Sequence, residues 1–266
     1  MGADIKSLRT RIKSVDSTLH LTKAMGLVAS SKLHRAIVNM NKSRSYKEAV
    51  GEIIEPLALS SECRKSPYMQ ERDGKTLLIV IAGDRGLAGG YNANIFRFMR
   101  DYPDADVIPI GKRACAKYGD GYMSSELFSS QDAADLSKKL CNEFAEGKFA
   151  RLGIVSTKYV SMMSQVADIE WVLPLQKKED AKSSSVLFEP DESSILNTAV
   201  PLYVSGILMG CVRESFACEV AARRVAMDSA GKNAQQMIDD LQLSYNMARQ
   251  GAITQEITEI VAGSGM

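Results

Sequence analysis

The sequence predicts an α/β protein in which long N- and C-terminal helices form an antiparallel coiled coil and a central domain carries a mostly parallel sheet. Apolar or small residues recur at sevens near both ends: Ile5, Ile12, Leu19, Gly26, Leu33 and Met40, then Val220, Met227, Ala234, Leu241 and Ala248. That repeat marks a helix presenting one seam to a partner. Between the two ends, short β-branched runs alternate with helical periods, as in a parallel sheet with crossover helices. No proline follows Pro201, so an uninterrupted C-terminal rod is permitted.

Composition narrows the function. The chain has 266 residues and a net charge of +1, which gives room for one sizeable core plus extended elements. Near-neutrality excludes a uniformly polycationic or polyanionic surface. The five cysteines (Cys63, Cys115, Cys141, Cys211, Cys218) are odd in number and form no CxxC pair. They read as reduced thiols filling the core of a cytosolic protein without a signal peptide. The longest apolar run, residues 199–212, carries Pro201 near its start and falls short of the ~20 residues of a spanning helix. Membrane association is therefore expected only through another protein.

The first helix is expected over residues 1–59. Its two seam series read Ile5, Ile12, Leu19, Gly26, Leu33, Met40, Lys47, Ile54 and Leu8, Val15, Thr22, Ala29, Ala36, Ser43, Val50, Leu57. So strict a seven-residue repeat predicts a left-handed supercoil. Asp4 is placed as N-cap, and Pro56 is expected to end the helix. The small residues Thr22, Gly26 and Ala29 would let a second backbone come close. The C-terminal partner is correspondingly alanine-rich, at Ala221, Ala222, Ala226, Ala230 and Ala234.

The first fifty residues hold ten Lys and Arg against Asp4, Asp16 and Glu48. This face, from Lys6 to Lys47, is either solvated or docks something acidic, nucleic acid or a carboxylate-rich protein segment. No aromatic residue interleaves it before Tyr46, which disfavours a single-strand stacking platform.

Residues 60–74 are polar and broken by Pro67 and Gly74, and read as a linker. The central domain is expected over residues 75–175. A buried strand at 76–81 runs into GDRGLAGGYN (residues 83–92), and a helical segment follows over 93–100. Further strands are expected at 106–110, 151–156 and 166–173, with helices at 112–118 and 131–145. The arrangement is Rossmann-like. Residues 176–200, polar through KKEDAKSSS, are expected to form a mobile connection. The C-terminal helix is then expected over 201–266, with Phe216, Ala230 and Met237 interleaving its heptads. A helix spanning residues 202–261 at ~1.5 Å per residue would be roughly 90 Å long, longer than a compact chain of this size is wide.

Enzymatic motifs are weak. A dinucleotide fingerprint needs G-x-G-x-x-G, and a phosphate-binding P-loop needs Gly-Lys-Ser/Thr at its close. Here the glycines fall at Gly83, Gly86, Gly89 and Gly90, and Tyr91 follows. They read as a tight strand-to-helix turn, with Asp84 and Arg85 paired or facing a partner. His20 and His34, the two histidines, lie fourteen residues apart on one helix and build no metal site or triad. No catalytic residue, cofactor site or metal site is expected.

The segments IKSLRTRIKSVDSTLHLTKAMGLVASSKLHRA, GDRGLAGGYN and CEVAARRVAMDSAGKNAQQMIDDLQLSYNMARQGAITQEITEIVAG closely resemble the gamma subunit of F-type ATP synthases of the bacterial type, across the whole chain. The resemblance implies a non-catalytic rotor shaft inside a ring of alpha and beta subunits. Its globular part would lie near the epsilon subunit and the c-ring, peripheral on the cytoplasmic face of the bacterial cell membrane. It also implies partner contacts. Lys23 and Met25, in Thr-Lys-Ala-Met, would face a mobile acidic stretch of the beta subunit, with Arg223 on the opposing helix. Arg249, Gln250, Thr254 and Glu256 resemble the set that catches loops of the beta subunit. The chain departs from the family at Gly26-Leu27, where an acid and Met are common, and at Gly263-Ser264, where Gly-Ala is usual. The alternative from another class is a basic coiled-coil protein binding nucleic acid through residues 6–47, and a third is a small α/β nucleotide enzyme.

Overall fold

The structure, a computed structural model, describes residues 2–176, 188–189 and 191–264. Helix α1 (Gly2–Leu59) leads through two short 3-10 turns to strand β1 (Thr76–Ile81). Then follow α2 (Tyr91–Phe98), β2 (Asp106–Ile110), α3 (Lys112–Tyr118), α4 (Ser130–Ala145), β3 (Arg151–Tyr159), β4 (Gln165–Leu173) and α5 (Glu192–Ser264). The chain divides into two compact units, Met1–Ser30 with Arg223–Met266, and Ser31–Ala222.

In the larger unit the strand order is β2-β1-β3-β4, with β1 parallel to both neighbours and β4 antiparallel to β3. The sheet is thus mostly parallel, closed on one side by a hairpin. The unbroken apolar run of β1 has a simple cause: both faces of the strand are covered. Ile79 and Ile81 face one core, with Leu136, Leu140 and Phe144 of α4 and Leu196, Val204 and Ile207 of α5. Leu78 and Val80 face the other, with Tyr91 and Ile95 of α2 and Ala114 of α3. Alternate side chains of one strand therefore feed two layers. Helix α4 starts where Ser129 and Asp132 form a capping box, which satisfies two otherwise orphaned amides.

Prolines mislead at both long helices. Pro56 lies inside α1 and does not end it, because Leu57 and Ala58 beyond it are buried. Likewise α5 begins at Glu192 and carries Pro201 inside it, rather than starting after that proline. Asp191 accepts hydrogen bonds from the amide and hydroxyl of Ser194, both at 2.7 Å, an N-cap that starts the helix there. Leu196 and Val200 before the proline and Val204 and Ile207 after it are fully buried. That packing outweighs the ~3 kcal/mol cost of an interior proline. Residues 192–200, expected in a mobile connection, are helical; residues 177–187 and 190 of that connection lie outside the described residues. Because the proline does not interrupt it, α5 contains an 18-residue stretch of mean hydropathy 1.7, long and apolar enough to cross a membrane by length and composition alone. Half of that stretch is buried inside the protein, so the expectation that no run is long enough is corrected, and core packing accounts for its apolarity.

Two smaller expectations also change. Asp4 sits in the first turn of α1 rather than ahead of it. Residues 60–74 are more than a polar linker: Cys63 and Tyr68 are buried, and Tyr68 stacks on Phe144 at 6.3 Å. The Tyr68 carbonyl accepts from the amide of Leu175 at 2.8 Å, tying this segment to the chain just beyond β4.

In the smaller unit, the two helix segments pack antiparallel. Gly26 lies against Met227 and Asp228, Gly231 against Thr22 and Leu19, and Arg224 donates to the Ser30 hydroxyl at 2.6 Å, so residue numbers on one helix fall as those on the other rise. None of the α1 seam positions from Ile5 to Leu57 is exposed in either unit, which is the burial a coiled-coil stripe requires. On α5 the first series is likewise covered, but the interleaving positions beyond Arg223 are Gly231, Ile238, Tyr245 and Ala252. Met237 is 44% exposed, one residue off the seam.

The glycine in this seam is not required for close approach. A methyl at Gly26 would meet Met227 and Asp228 at 3.7 Å, ordinary contact. Gly26→Ala should therefore stabilise the helix pair by roughly 0.5–1 kcal/mol through the lower backbone entropy cost. A rise of a few degrees in the thermal midpoint is expected; a fall would show that the seam cannot accept a methyl.

Candidate functional site

Two surfaces hold the residues that the sequence singles out. The first is the Gly-rich loop between β1 and α2. Beyond β1, the Gly83 amide donates to the Asn92 side chain at 2.9 Å, and its carbonyl accepts from the Arg113 amide at 3.1 Å. A Cβ at Gly83 would lie 2.7 Å from the carboxyl carbon of Glu219, and Glu219 of α5 is only 2% exposed. A buried carboxylate thus occupies the position beside the strand end where a phosphate would sit in a nucleotide-binding fold. The Glu219 side chain fills the space beside Gly83 that a phosphate would need, which disfavours a nucleotide cradle at this turn. Positive φ at Leu87 (62°) and Gly89 (55°) bends the chain back into α2, whose Tyr91 hydroxyl donates to the Ser215 carbonyl at 3.0 Å.

Asp84 organises the neighbouring loop. Its Oδ1 accepts from the amides of Lys112 (3.2 Å) and Ser125 (2.9 Å), and its Oδ2 from the Ser124 hydroxyl (2.6 Å) and the Glu126 amide (3.1 Å). Burial pushes its pKa up, but these four hydrogen bonds outweigh burial and hold the carboxyl below its ordinary range. Glu126, held this way, is bridged by Lys32 at 2.6 Å and lies 3.9 Å from Arg85. Asp84 and Arg85 are therefore paired within the chain, while Leu87, Met123 and Leu127 are 60–80% exposed.

The basic face of α1 is partly spent inside the protein. Lys32 pairs with Glu126, Arg44 with Glu214 at 3.6 Å and Lys47 with Glu170 at 2.5 Å. Those pairs remove charge that a nucleic-acid surface would need. The thiols offer no nucleophile either. All five cysteines are free and four are buried; burial pushes Cys141 and Cys211 up to about 12, so both stay protonated at neutral pH.

The second surface is the helix pair of the smaller unit, which carries all seven partner-contact candidates. Lys23 is exposed and Met25 half-buried on α1; Arg223 is half-buried on α5, and Arg249, Gln250, Thr254 and Glu256 are exposed. They do not converge on one point. By the register, Lys23 and Met25 stand across from residues 228–230, and Arg223 stands near the level of Ser30, about 10 Å along the axis. Arg249 begins a third level roughly 30 Å beyond Lys23 in the other direction. Exposed apolar residues accompany them, and the seam periodicity does not single these out: Leu21, Leu27 and Val28 on α1, and Leu243, Met247, Ile253, Ile257 and Ile260 on α5. All lie off the seam series, and that is the signal that could have found them. The last three form a helical stripe of their own, on a segment where residues 253–263 are exposed throughout. Large apolar side chains so displayed mark a contact surface.

Comparison with known proteins agrees with this geometry. The family described as ATP synthase matches residues 4–265. The rotor of the Euglena gracilis mitochondrial ATP synthase, a cryo-EM structure, aligns with TM-score 0.66 at 18% identity, covering 95% of this chain and 100% of that one. A chain of the same organism's OSCP/F1/c-ring assembly aligns with TM-score 0.69 at 19% identity, covering 98% and 94%. A chain of the Tetrahymena thermophila mitochondrial central stalk and c-ring aligns with TM-score 0.61 at 19% identity, covering 79% and 99%.

Proposed function

The chain belongs to the gamma-subunit family of ATP synthases, and we propose on that footing that it is the central rotor shaft of the enzyme, with no chemistry of its own. The observation that carries this reading is the family match over residues 4–265, which takes in both seam helices and the sheet together. A coiled coil suits a shaft, because side chains interlocked along two helices resist twisting better than a single helix can. Torque on such a shaft would drive the surrounding beta subunits through states of different affinity for ADP, phosphate and ATP. Proton or sodium flow through the c-ring would supply that torque.

In this reading the candidate contacts divide by level. Lys23, Met25 and Arg223 face the acidic stretch of the beta subunit, and Arg249, Gln250, Thr254 and Glu256 engage its loops. The exposed stripe of Ile253, Ile257 and Ile260 needs apolar cover, which a ring of alpha and beta subunits around the helix tip would provide. The larger unit meets the epsilon subunit and the c-ring, so the protein is held peripherally at the cytoplasmic face of a bacterial membrane.

Reconstitution tests the proposal. Mixing the purified chain with alpha and beta subunits of the same source is expected to yield a stable complex whose ATPase activity exceeds that of either mixture lacking one component. If no complex forms with subunits that are themselves folded, the shaft assignment fails.

A further inference from the structure

Where α1, α5 and the loop after α3 meet within the larger unit, a cleft of about 150 Å³ is lined by Lys32, Arg35, Asn39, Glu126, Arg213 and Phe216. Three cations face one carboxylate. Lys32 is committed to that carboxylate at 2.6 Å, whereas among the described residues neither Arg35 nor Arg213 has a carboxylate partner. Farther along α1, Arg44 and Lys47 line a different cleft and each has an acid in reach, whereas both guanidiniums here border one small cleft. The net surplus of two positive charges equals the charge of a phosphate dianion.

We propose that this cleft is a binding site for a small doubly charged oxyanion of the phosphate class. The planar fork of an arginine suits two oxygens of a tetrahedral anion. The Lys32–Glu126 pair forms one wall, and Asn39 supplies an amide donor at the rim. Phe216 closes the cleft with an apolar surface that lowers the local dielectric and strengthens the charge interaction. Size sets the ligand class: the cleft is well below the ~300 Å³ at which pockets for larger organic ligands begin, so it takes the free anion and excludes a nucleotide. The cleft lies in the larger unit and includes none of the seven candidate contacts of the smaller unit.

The test uses the full chain at low ionic strength, titrated with inorganic phosphate by calorimetry, with sodium chloride of matched ionic strength as control. Saturable phosphate binding is expected, weakened at least tenfold in Arg35→Gln and in Arg213→Gln, because each removes a charge-assisted donor. Circular dichroism of both variants should match the parent, and Arg213→Lys, which keeps the charge and loses the fork, should fall between. Binding that chloride abolishes equally well, or that survives both glutamine variants, overturns the proposal. So does the absence of phosphate binding where an acidic peptide binds through the same two arginines, since the cleft would then receive a partner's carboxylate.

Discussion

Gly111→Ala is expected to lower the stability of the α/β unit by on the order of 4 kcal/mol, at the severe end of single substitutions. Gly111 joins β2 to α3 at φ 99° and ψ 149°, a region that side chains enter only at high cost. A methyl there would lie 2.1 Å from the Ala82 carbonyl oxygen and 3.0 Å from its carbon. Neither atom can yield. Ala82 follows β1, its amide bonds to the Ile110 carbonyl at 2.9 Å, and the Gly111 amide bonds to the Tyr122 carbonyl at 2.7 Å. Relieving the clash therefore means separating β1 from β2 at the end that carries the Gly-rich loop. A thermal scan should show a fall of about 10 °C or more for a chain of this size. A midpoint within two or three degrees of the parent would show that the turn can re-form around a side chain.

The second large effect is expected at Asp84. Each carboxylate oxygen accepts two hydrogen bonds, so an amide cannot replace it in either orientation: its NH₂ would face two donors. Asp84→Asn should cost about 2–3 kcal/mol by leaving backbone amides such as those of Ser125 and Glu126 unpaired. Glu126 would then lose its fixed position between Lys32 and Arg85, and hydrogen exchange at the two amides should accelerate. The pH dependence has a definite sign. The folded pKa of Asp84 is depressed, so the stability it contributes is complete above the unfolded value of about 3.9. That contribution disappears as pH falls through the lower folded value. The gap between parent and variant, measured by urea unfolding, should hold between pH 7 and 5 and close below about pH 3.9. A gap that widens in acid would mean that Asp84 does not stabilise the fold as a carboxylate.

Periodicity makes much of the architecture legible before any coordinates. The sevenfold repeat of α1 identifies its buried seam, and the β-branched runs locate four strands whose order of appearance suits a crossover sheet. Local rules fail where a tertiary one overrides them. Pro56 and Pro201 are strong breakers in an isolated helix, yet Leu57 on one helix and Val200 and Val204 on the other are buried beside the break. The seam of α5 is ambiguous because its alanines fit more than one series, and only the partner helix decides that Ile238 turns inward and Met237 outward. The seven candidate partner-contact residues rest on family resemblance alone. An exposed Lys23 or Thr254 carries no periodic signal, since nothing within the chain constrains it.

The amino-acid sequence by itself determined the order of elements and the long helices at both ends, because these are written in local spacing, and its long terminal motifs carry the resemblance to the family. Only the tertiary structure decided that Glu219 lies buried against Gly83, that one aspartate gathers the loop at 124–126, and that Arg35 and Arg213 border one cleft with no carboxylate partner among the described residues. Those pairings join residues far apart in the chain. Periodicity reports which face a side chain takes, while distance, and with it charge balance and hydrogen bonding, exists only once the faces have met.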